Sequence, residues 1–275
     1  MRYFILYIGL ALVMLTGCDV LEEPYRQESA QLETERKVLL EDYTGHRCPN
    51  CPLASKLMED LKEVYGENLV MIAVHATMLA KITFPPHYLY DFTTETGDAW
   101  SDYFGLEHSG IPNGLVNRKE RSGSRVIAPG NWALMVQEEL NKPVEAGIDL
   151  VAGWDATTGQ ITVNTQTSIA EPSSDETYTI TVVLVEDSIV KPQYNNDPTI
   201  GPTPDILDYV HNHVLRLSFT GAWGVQINPQ LVDSRSFSYT LDVDSDIVPE
   251  NSRIIAFISN SNREVLQAEE TRLIP

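Results

Sequence analysis

Apolar residues recur along this chain with two different periods. Between residues 36 and 142, short apolar runs alternate with stretches of helical spacing. Residues 37–42 (KVLLED) read as a strand. Residues 52–65 place Leu53, Leu57, Leu61 and Val64 at helical spacing as a core-facing stripe, and Gly66 follows where a C-cap glycine belongs. Residues 69–76 (LVMIAVHA) are continuously apolar, as expected of a parallel strand covered on both faces. A helix over 98–106, a short strand over 114–117 and a helix over 131–140, stopped before Pro143, complete the alternation. Strands alternating with helices imply right-handed βαβ crossovers and a helix-covered sheet.

From residue 147 onward the period drops to two. Strands are expected at 147–151, 160–169, 177–186, 211–219, 236–243, 253–259 and 264–271. Short strands separated by turn residues suggest a separate antiparallel, immunoglobulin-like β-sandwich. The fold class read from the pattern is therefore an α/β domain over 36–143, with an insertion near 78–96, followed by an all-β domain over 145–275. The stretch 191–208 (KPQYNNDPTIGPTPDILD) is long for a loop and rich in Pro, Asn and Asp, which makes it the expected contact surface of the second half. Phe84, Tyr88, Tyr90 and Phe92 of the insertion are placed either as a lid or as packing on the sheet.

The first residues read as an address. Arg2 precedes an apolar run over 3–15, too short to span roughly 30 Å of hydrocarbon, and the small residues Thr16 and Gly17 lead to Cys18. Leu15-Thr16-Gly17-Cys18 resembles the lipobox of bacterial lipoproteins. That resemblance implies cleavage of a signal peptide over 1–17, a diacylglyceryl group on the Cys18 thiol and acylation of its new amine, which is more than the two signals that stable anchoring takes. Residues 18–35 then form an acidic tether. Composition narrows the classes further. With Lys+Arg 19 against Asp+Glu 39 and a net charge of -20, the chain lacks the basic stripe that tracking nucleic acid needs. Its 3 cysteines cannot build a disulfide framework.

Two of those cysteines carry the candidate chemistry. EDYTGHRCPNCP places Cys48 and Cys51 in a C-x-x-C between the first strand and first helix, the context in which this spacing reads as a redox motif. A helix N-terminus offers unpaired N–H groups and a positive dipole end, which favour thiolate over thiol at Cys48. Arg47 and His46 are expected to add positive charge. Cys48 is the expected nucleophile and Cys51 the resolving residue. Pro49 suits a first helical turn, Asn50 completes the inter-cysteine pair, and Pro52 tightens the start. The competing readings are a structural disulfide and half of a zinc site. The first is weak because so small a ring yields only about 2 kcal/mol by loop entropy. For zinc, His46, His75, His211 and His213 are the available ligands, but no second C-x-x-C or H-x-x-x-H is present, and no metal or other cofactor is assigned. His211 and His213 share one face of the expected strand and suit structural hydrogen bonding. The run Asp242-x-Asp244-x-Asp246 lacks the glycine and glutamate of a calcium loop.

These residues resemble the thioredoxin fold. The resemblance implies that Asp42, six positions before Cys48, accepts the proton of Cys51, and that Ile111-Pro112, within Gly110-Ile111-Pro112, is a cis bond facing the disulfide and exposing the Ile111 backbone to an extended substrate. Arg47 stands where an aromatic residue is usual, and Pro49-Asn50 replaces the reductase pair Gly-Pro. The chain as a whole resembles a narrower group, the thioredoxin-fold lipoproteins named for a twenty-eight-kilodalton outer-membrane protein of Bacteroides-type bacteria. The residues carrying this are the lipobox, residues 40–46, Cys48 to Pro52, Gly110 to Pro112 with Asn117-Arg118, and residues 209–216. It implies an outer-membrane location, facing either periplasm or exterior, and a C-terminal β-domain. Exported protein thiols or disulfides are the expected partners. The alternative is a non-enzymatic binding or adhesion lipoprotein taking a host or extracellular ligand through that β-domain.

Overall fold

The structure, a computed structural model, describes residues 34–82 and 87–274. The signal segment, Cys18, most of the tether and Phe84 lie outside the described residues. In chain order the elements begin β1 (Val38–Thr44), α1 (Cys51–Tyr65), β2 (Leu69–His75), α2 (Glu95–Phe104), α3 (Leu106–Ser109), β3 (Asn113–Val116) and α4 (Trp132–Leu140). The second half adds β4 (Ala146–Asp155), β5 (Gln160–Ile169), β6 (Thr179–Glu186), β7 (Ile189–Val190), β8 (Gln193–Tyr194), β9 (Asp205–Ile206), β10 (Val210–His211), β11 (Val214–Ser218), β12 (Val225–Gln226), β13 (Asp233–Thr240), β14 (Ser252–Ser259) and β15 (Val265–Arg272).

The expected α/β start is present. β1 pairs in parallel with β2 and antiparallel with β3, and α1 and α4 cover one face. The separate sandwich is not. One mixed sheet runs in the order β15-β14-β6-β11-β2-β1-β3, so strands from the second half extend the first half's sheet. The seam is β11 beside β2, with Val214 opposite Ala73 and the Ala73 N–H donating to His213 O at 2.8 Å. A three-stranded antiparallel sheet, β13-β5-β4, does stack face to face on this extension, but its opposing layer is the main sheet itself. Alternation explains why this works. In β6 and β14, Val183, Val185, Ile255 and Phe257 face the core that holds Leu39, Val70, Val74 and Trp100. Val182, Leu184, Ile254 and Ala256, on the opposite face, pack against Ile148, Leu150, Ile161 and Val163 of the small sheet. A strand buried on both faces loses its polar register and reads as a continuous apolar run.

The phase of α1 differs from the expected stripe. Its buried residues are Cys51, Pro52, Ala54, Met58 and Leu61, whereas Leu53 and Val64 are 52% and 73% exposed. The start of the helix sets this phase, because Cys51 must point inward to pair with Cys48, and Ala54, Met58 and Leu61 follow on the same face.

A polar hub locks β3 to both halves. Asn117 and Arg118, both at positive φ (47° and 52°), end β3. Asn117 Oδ1 accepts from Leu39 N at 2.8 Å, and its carbonyl accepts from Val265 N at 2.8 Å. The buried Arg118 guanidinium grips Glu41 through two bonds of 2.8 and 2.7 Å and stacks over Trp100 and Phe257 at 4.5 and 4.8 Å. Such a pair is costly to break from one side, because the remaining charge stays buried. Among the described residues no helix is long and apolar enough to cross a membrane.

This shared core yields a prediction. Expressed without residues 145–275, the segment 36–143 exposes the face of Leu39, Val70, Val74 and Trp100 that Val185, Ile255 and Phe257 cover. The fragment is expected to lack a cooperative unfolding transition and to bind hydrophobic dye. A dispersed amide spectrum from the fragment alone contradicts the shared core.

Candidate active site

Cys48 and Cys51 sit where β1 hands over to α1 and are joined by a disulfide, their Cα atoms 5.4 Å apart. The helix begins at Cys51, so Pro52 and not Pro49 occupies its first turn. Asn50 is the N-cap residue, but its side chain does not cap the helix: Oδ1 accepts from Asn196 Nδ2 at 2.7 Å. The helix N-terminus is therefore left without a side-chain acceptor, and its dipole faces the disulfide loop.

Opposite the disulfide, Ile111-Pro112 is cis and Ile111 O lies 3.7 Å from Cys48 Sγ. The oxidised sulfur carries no proton, so this is a contact that becomes a weak S–H donor bond only in the dithiol. Gly114, just beyond, has no room for a side chain. A Cβ there meets Glu41 O at 2.7 Å and the Trp132 ring at 2.8 Å, and this closeness brings the Ile111-Pro112 turn down onto β1.

Asp42 is fully buried near the end of β1. Ser55 Oγ, one helical turn beyond Cys51, donates to its Oδ2 at 3.4 Å, while Oδ1 has no partner among the described residues. Burial pushes the carboxyl up to about 7, with the Ser55 bond opposing. A carboxyl with this value changes its protonation state near neutral pH.

His46 does not supply the expected positive charge. It is buried, its Nε2 lies 3.3 Å from Lys81 O, and burial lowers it to about 4, so it is neutral. Arg47 is turned away from the cysteines, its guanidinium donating to Met78 O and its N–H to Leu79 O at 3.0 Å. The insertion therefore crosses directly over the active-site loop. Gly45 records the approach, since a Cβ there meets Leu79 O at 2.8 Å. Tyr88 and Tyr90 do not simply lie on the sheet. Their hydroxyls bond to Asp205 and Asp246, and Phe92 stacks on His75 at 4.4 Å and meets His211 at 4.6 Å.

The segment 191–208 reaches the site from the other side. Gln193, buried, donates from Nε2 to Cys48 O at 3.0 Å; Tyr194 N donates to His46 O at 2.7 Å; Asn196 N donates to Pro49 O at 3.1 Å. The loop expected to meet partners thus spends its first contacts on the chain's own C-x-x-C. Cys48 and Cys51 are each only 1% exposed. Nor do His211 and His213 share a strand face. The strand breaks at Asn212, and His213, at φ 55°, faces Glu59 at 3.3 Å while His211 joins the ring cluster. Burial depresses both His75 and His211, the latter to about 3. Asp242 and Asp244 are exposed, while Asp246 pairs with Arg216. Among the described residues no three His, Cys, Asp or Glu side chains are placed to hold a metal.

Sequence reasoning missed Ser55, Gln193, Asn196 and Tyr209. Only the polarity of 191–208 hinted at Gln193 and Asn196, Tyr209 entered only as the first residue of the 209–216 stretch that carries the family resemblance, and nothing local marks Ser55. Ser55 and Tyr209 line a cleft of about 320 Å³ with Glu59, His75 and His211.

The Asp42 environment predicts a pH-dependent stability. Below about pH 4 the carboxyl is neutral whether the chain is folded or not, and it costs nothing. Between about pH 4 and 7 the unfolded chain ionises while the folded one resists, so stability falls, by at most about 4 kcal/mol above pH 7. Asp42→Asn removes the penalty. Urea unfolding is expected to find the variant more stable at about pH 8, with the gap closing toward pH 4. A gap that does not change with pH contradicts the assigned burial.

The fold resembles that of HBP35 of Porphyromonas gingivalis, with 17% identity, TM-score 0.60 and coverage of 88% of this chain and 76% of that one. It also resembles protein AGR_C_4864 of Agrobacterium tumefaciens, with 8% identity, TM-score 0.51 and coverage of 88% and 96%. A domain of the outer membrane lipoprotein Omp28 from Porphyromonas gingivalis matches 49% of this chain and 92% of its own at 21% identity and TM-score 0.34. No curated protein matches the chain. The profile of the family described as outer membrane protein Omp28 matches residues 97–273, a span that holds Ile111, Pro112 and Tyr209 but begins after both cysteines. That span is well over half of the 275 residues, and the chain belongs to the Omp28 family.

Proposed function

We propose that this protein is a lipid-anchored outer-membrane protein whose Cys48–Cys51 pair performs thiol–disulfide exchange on exported proteins. The observation that carries the reading is the convergence of three parts on the β1–α1 junction: the disulfide at the start of α1, the buried Asp42 of β1 bonded to Ser55 of the same helix with its carboxyl near 7, and Ile111 O at 3.7 Å from Cys48 Sγ. A disulfide placed for stability has no use for a buried carboxyl with one oxygen unpartnered at the end of the same strand, which weakens the fold above neutral pH. A resolving thiol that must lose a proton does.

In the reducing direction the Cys48 thiolate attacks a partner disulfide. A Cys48–partner bond forms and one partner sulfur leaves as thiolate. Cys51 then loses its proton to Asp42 and attacks Cys48 Sγ, which forms the intramolecular disulfide and releases the second partner thiolate. The partner is reduced by two electrons, and the dithiol is oxidised by the same two. The oxidising direction is the reverse sequence. The anchor is supported by the Leu15-Thr16-Gly17-Cys18 pattern and by the family's description as an outer membrane protein.

A second reading, binding through the second half, draws on two observations. The family match begins after the cysteines, and the pair is almost fully covered. Trapping separates the two readings. Cys51→Ser is expected to accumulate reductant-sensitive adducts with envelope proteins, on the order of tenfold more than Cys48→Ser, because attack proceeds and resolution does not. Equal, background-level trapping by both variants favours binding. For the anchor, mass spectrometry of detergent-extracted protein is expected to find a mature chain beginning at acylated Cys18, and Cys18→Ala is expected to release the protein from membranes. An unmodified, full-length N-terminus contradicts it.

A further inference from the structure

We propose that Ser55 and Tyr209 form a proton exit that carries the Cys51 proton from Asp42 to the cleft beside α1. This rests on the exchange chemistry proposed above and names residues for it that lie outside the C-x-x-C.

The geometry poses the problem first. Asp42 is 0% exposed and both cysteines are nearly so, yet each resolution step delivers a proton to Asp42 that must leave before the next turnover. Ser55 Oγ lies 3.4 Å from Asp42 Oδ2. Ser55 and Tyr209 line the same open cleft, and the serine hydroxyl also meets the Tyr209 phenol. A hydroxyl donates and accepts at once, so the serine is able to take a proton from Asp42 while giving its own to the tyrosine oxygen. The phenol then releases one to water in the cleft. Lys56, Asp60 and Glu63 of α1 also line the cleft, the first two paired with each other at 2.6 Å; the remaining groups facing the path are these. From α1 come Ser55 and Glu59, the latter paired with His213; from β2 come Ala73, opposite Asp42, and His75; from the segment entering β11 come Tyr209 and His211, their rings 4.8 Å apart; from β3, Gly114 offers no titrating group. Glu41, the neighbour of Asp42 on β1, is committed to Arg118. Burial holds His75 and His211 neutral, and the same burial keeps the phenol protonated, pushed up to about 12, so Tyr209 works as a neutral relay and not as a base.

The step balances. Cys51 S–H gives its proton to the Asp42 carboxylate and its electron pair to Cys48 Sγ; the Cys48–partner bond breaks and the partner leaves as thiolate. Asp42 passes its proton to Ser55 Oγ, Ser55 passes its own to Tyr209 Oη, and Tyr209 releases one to solvent. All three groups return to their starting states.

The test uses the full-length reduced protein and dithiobis(nitrobenzoate), a disulfide that releases one coloured thiolate on attack by Cys48 and a second on resolution by Cys51. Tyr209→Phe removes one oxygen atom and keeps the ring. In stopped flow it is expected to slow the second release relative to the first by on the order of tenfold or more, with added imidazole buffer restoring the second phase. Ser55→Ala is expected to behave likewise, and Ser55→Thr, which keeps the hydroxyl, to recover most of the loss. A ratio of the two phases that is unchanged in Tyr209→Phe overturns the relay while leaving the exchange reading intact. So does a loss that imidazole does not restore. A wild-type protein that releases neither thiolate overturns both.

Discussion

The placement of β11 beside β2 governs the rest of the molecule. Once Val214 is opposite Ala73, the residues entering β11 lie against the ends of β1 and β2, where the C-x-x-C stands. That single pairing brings Gln193 and Asn196 onto the active-site loop, Tyr209 to Ser55, and His211 to His75. It also commits β6, β14 and β15 to the same sheet, so their inward residues complete a core that β1 and β2 begin. A parallel pairing between strands so distant in sequence is entropically slow to form, and the large shared apolar face is what makes it worth forming.

Covering the site changes its electrostatics as a group. Desolvation disfavours whichever form is charged, so it lifts Asp42 toward 7 and drives His46, His75 and His211 down. The histidines near the disulfide are consequently neutral, although the chain carries a net charge of -20. Polarisation of Cys48 then falls to the α1 dipole and not to neighbouring cations, because Arg47 is turned to the insertion and His46 is neutral. A buried full charge pair on the same strand, Glu41–Arg118, is sequestered by Trp100 and Phe257. Adjacent residues of β1 thus take opposite roles by strand alternation: Glu41 is permanently paired and Asp42 is left to titrate.

Most of what can be read from local pattern is found in the structure. The strand over 160–169 matches β5 end for end, and β1, β2, β14 and β15 fall within two residues of their expected limits. The C-x-x-C at the strand–helix junction, Asp42 on the preceding strand and the cis bond at Pro112 were legible because each lies at a set spacing or within a short motif. The short strands β7 to β10 and β12 were not, since two-residue pairings have no period to detect.

Sequence by itself determined the longer elements, the acidic character and the C-x-x-C spacing of Cys48 and Cys51, because helical and strand periods, charge and cysteine spacing are local properties. Tertiary structure decided everything that depends on which strand lies beside which. An apolar run such as β6 is compatible with a separate sandwich or with the centre of a shared sheet, and only the partner packed on each face distinguishes them. The same holds at the site. Leu53 was expected inside and is exposed, because the inward turn of Cys51 sets the helix phase. Ser55 and Tyr209 acquire their place only when chain segments more than a hundred residues apart close on one cleft, and the protonation states of the histidines and of Asp42 follow from that closure.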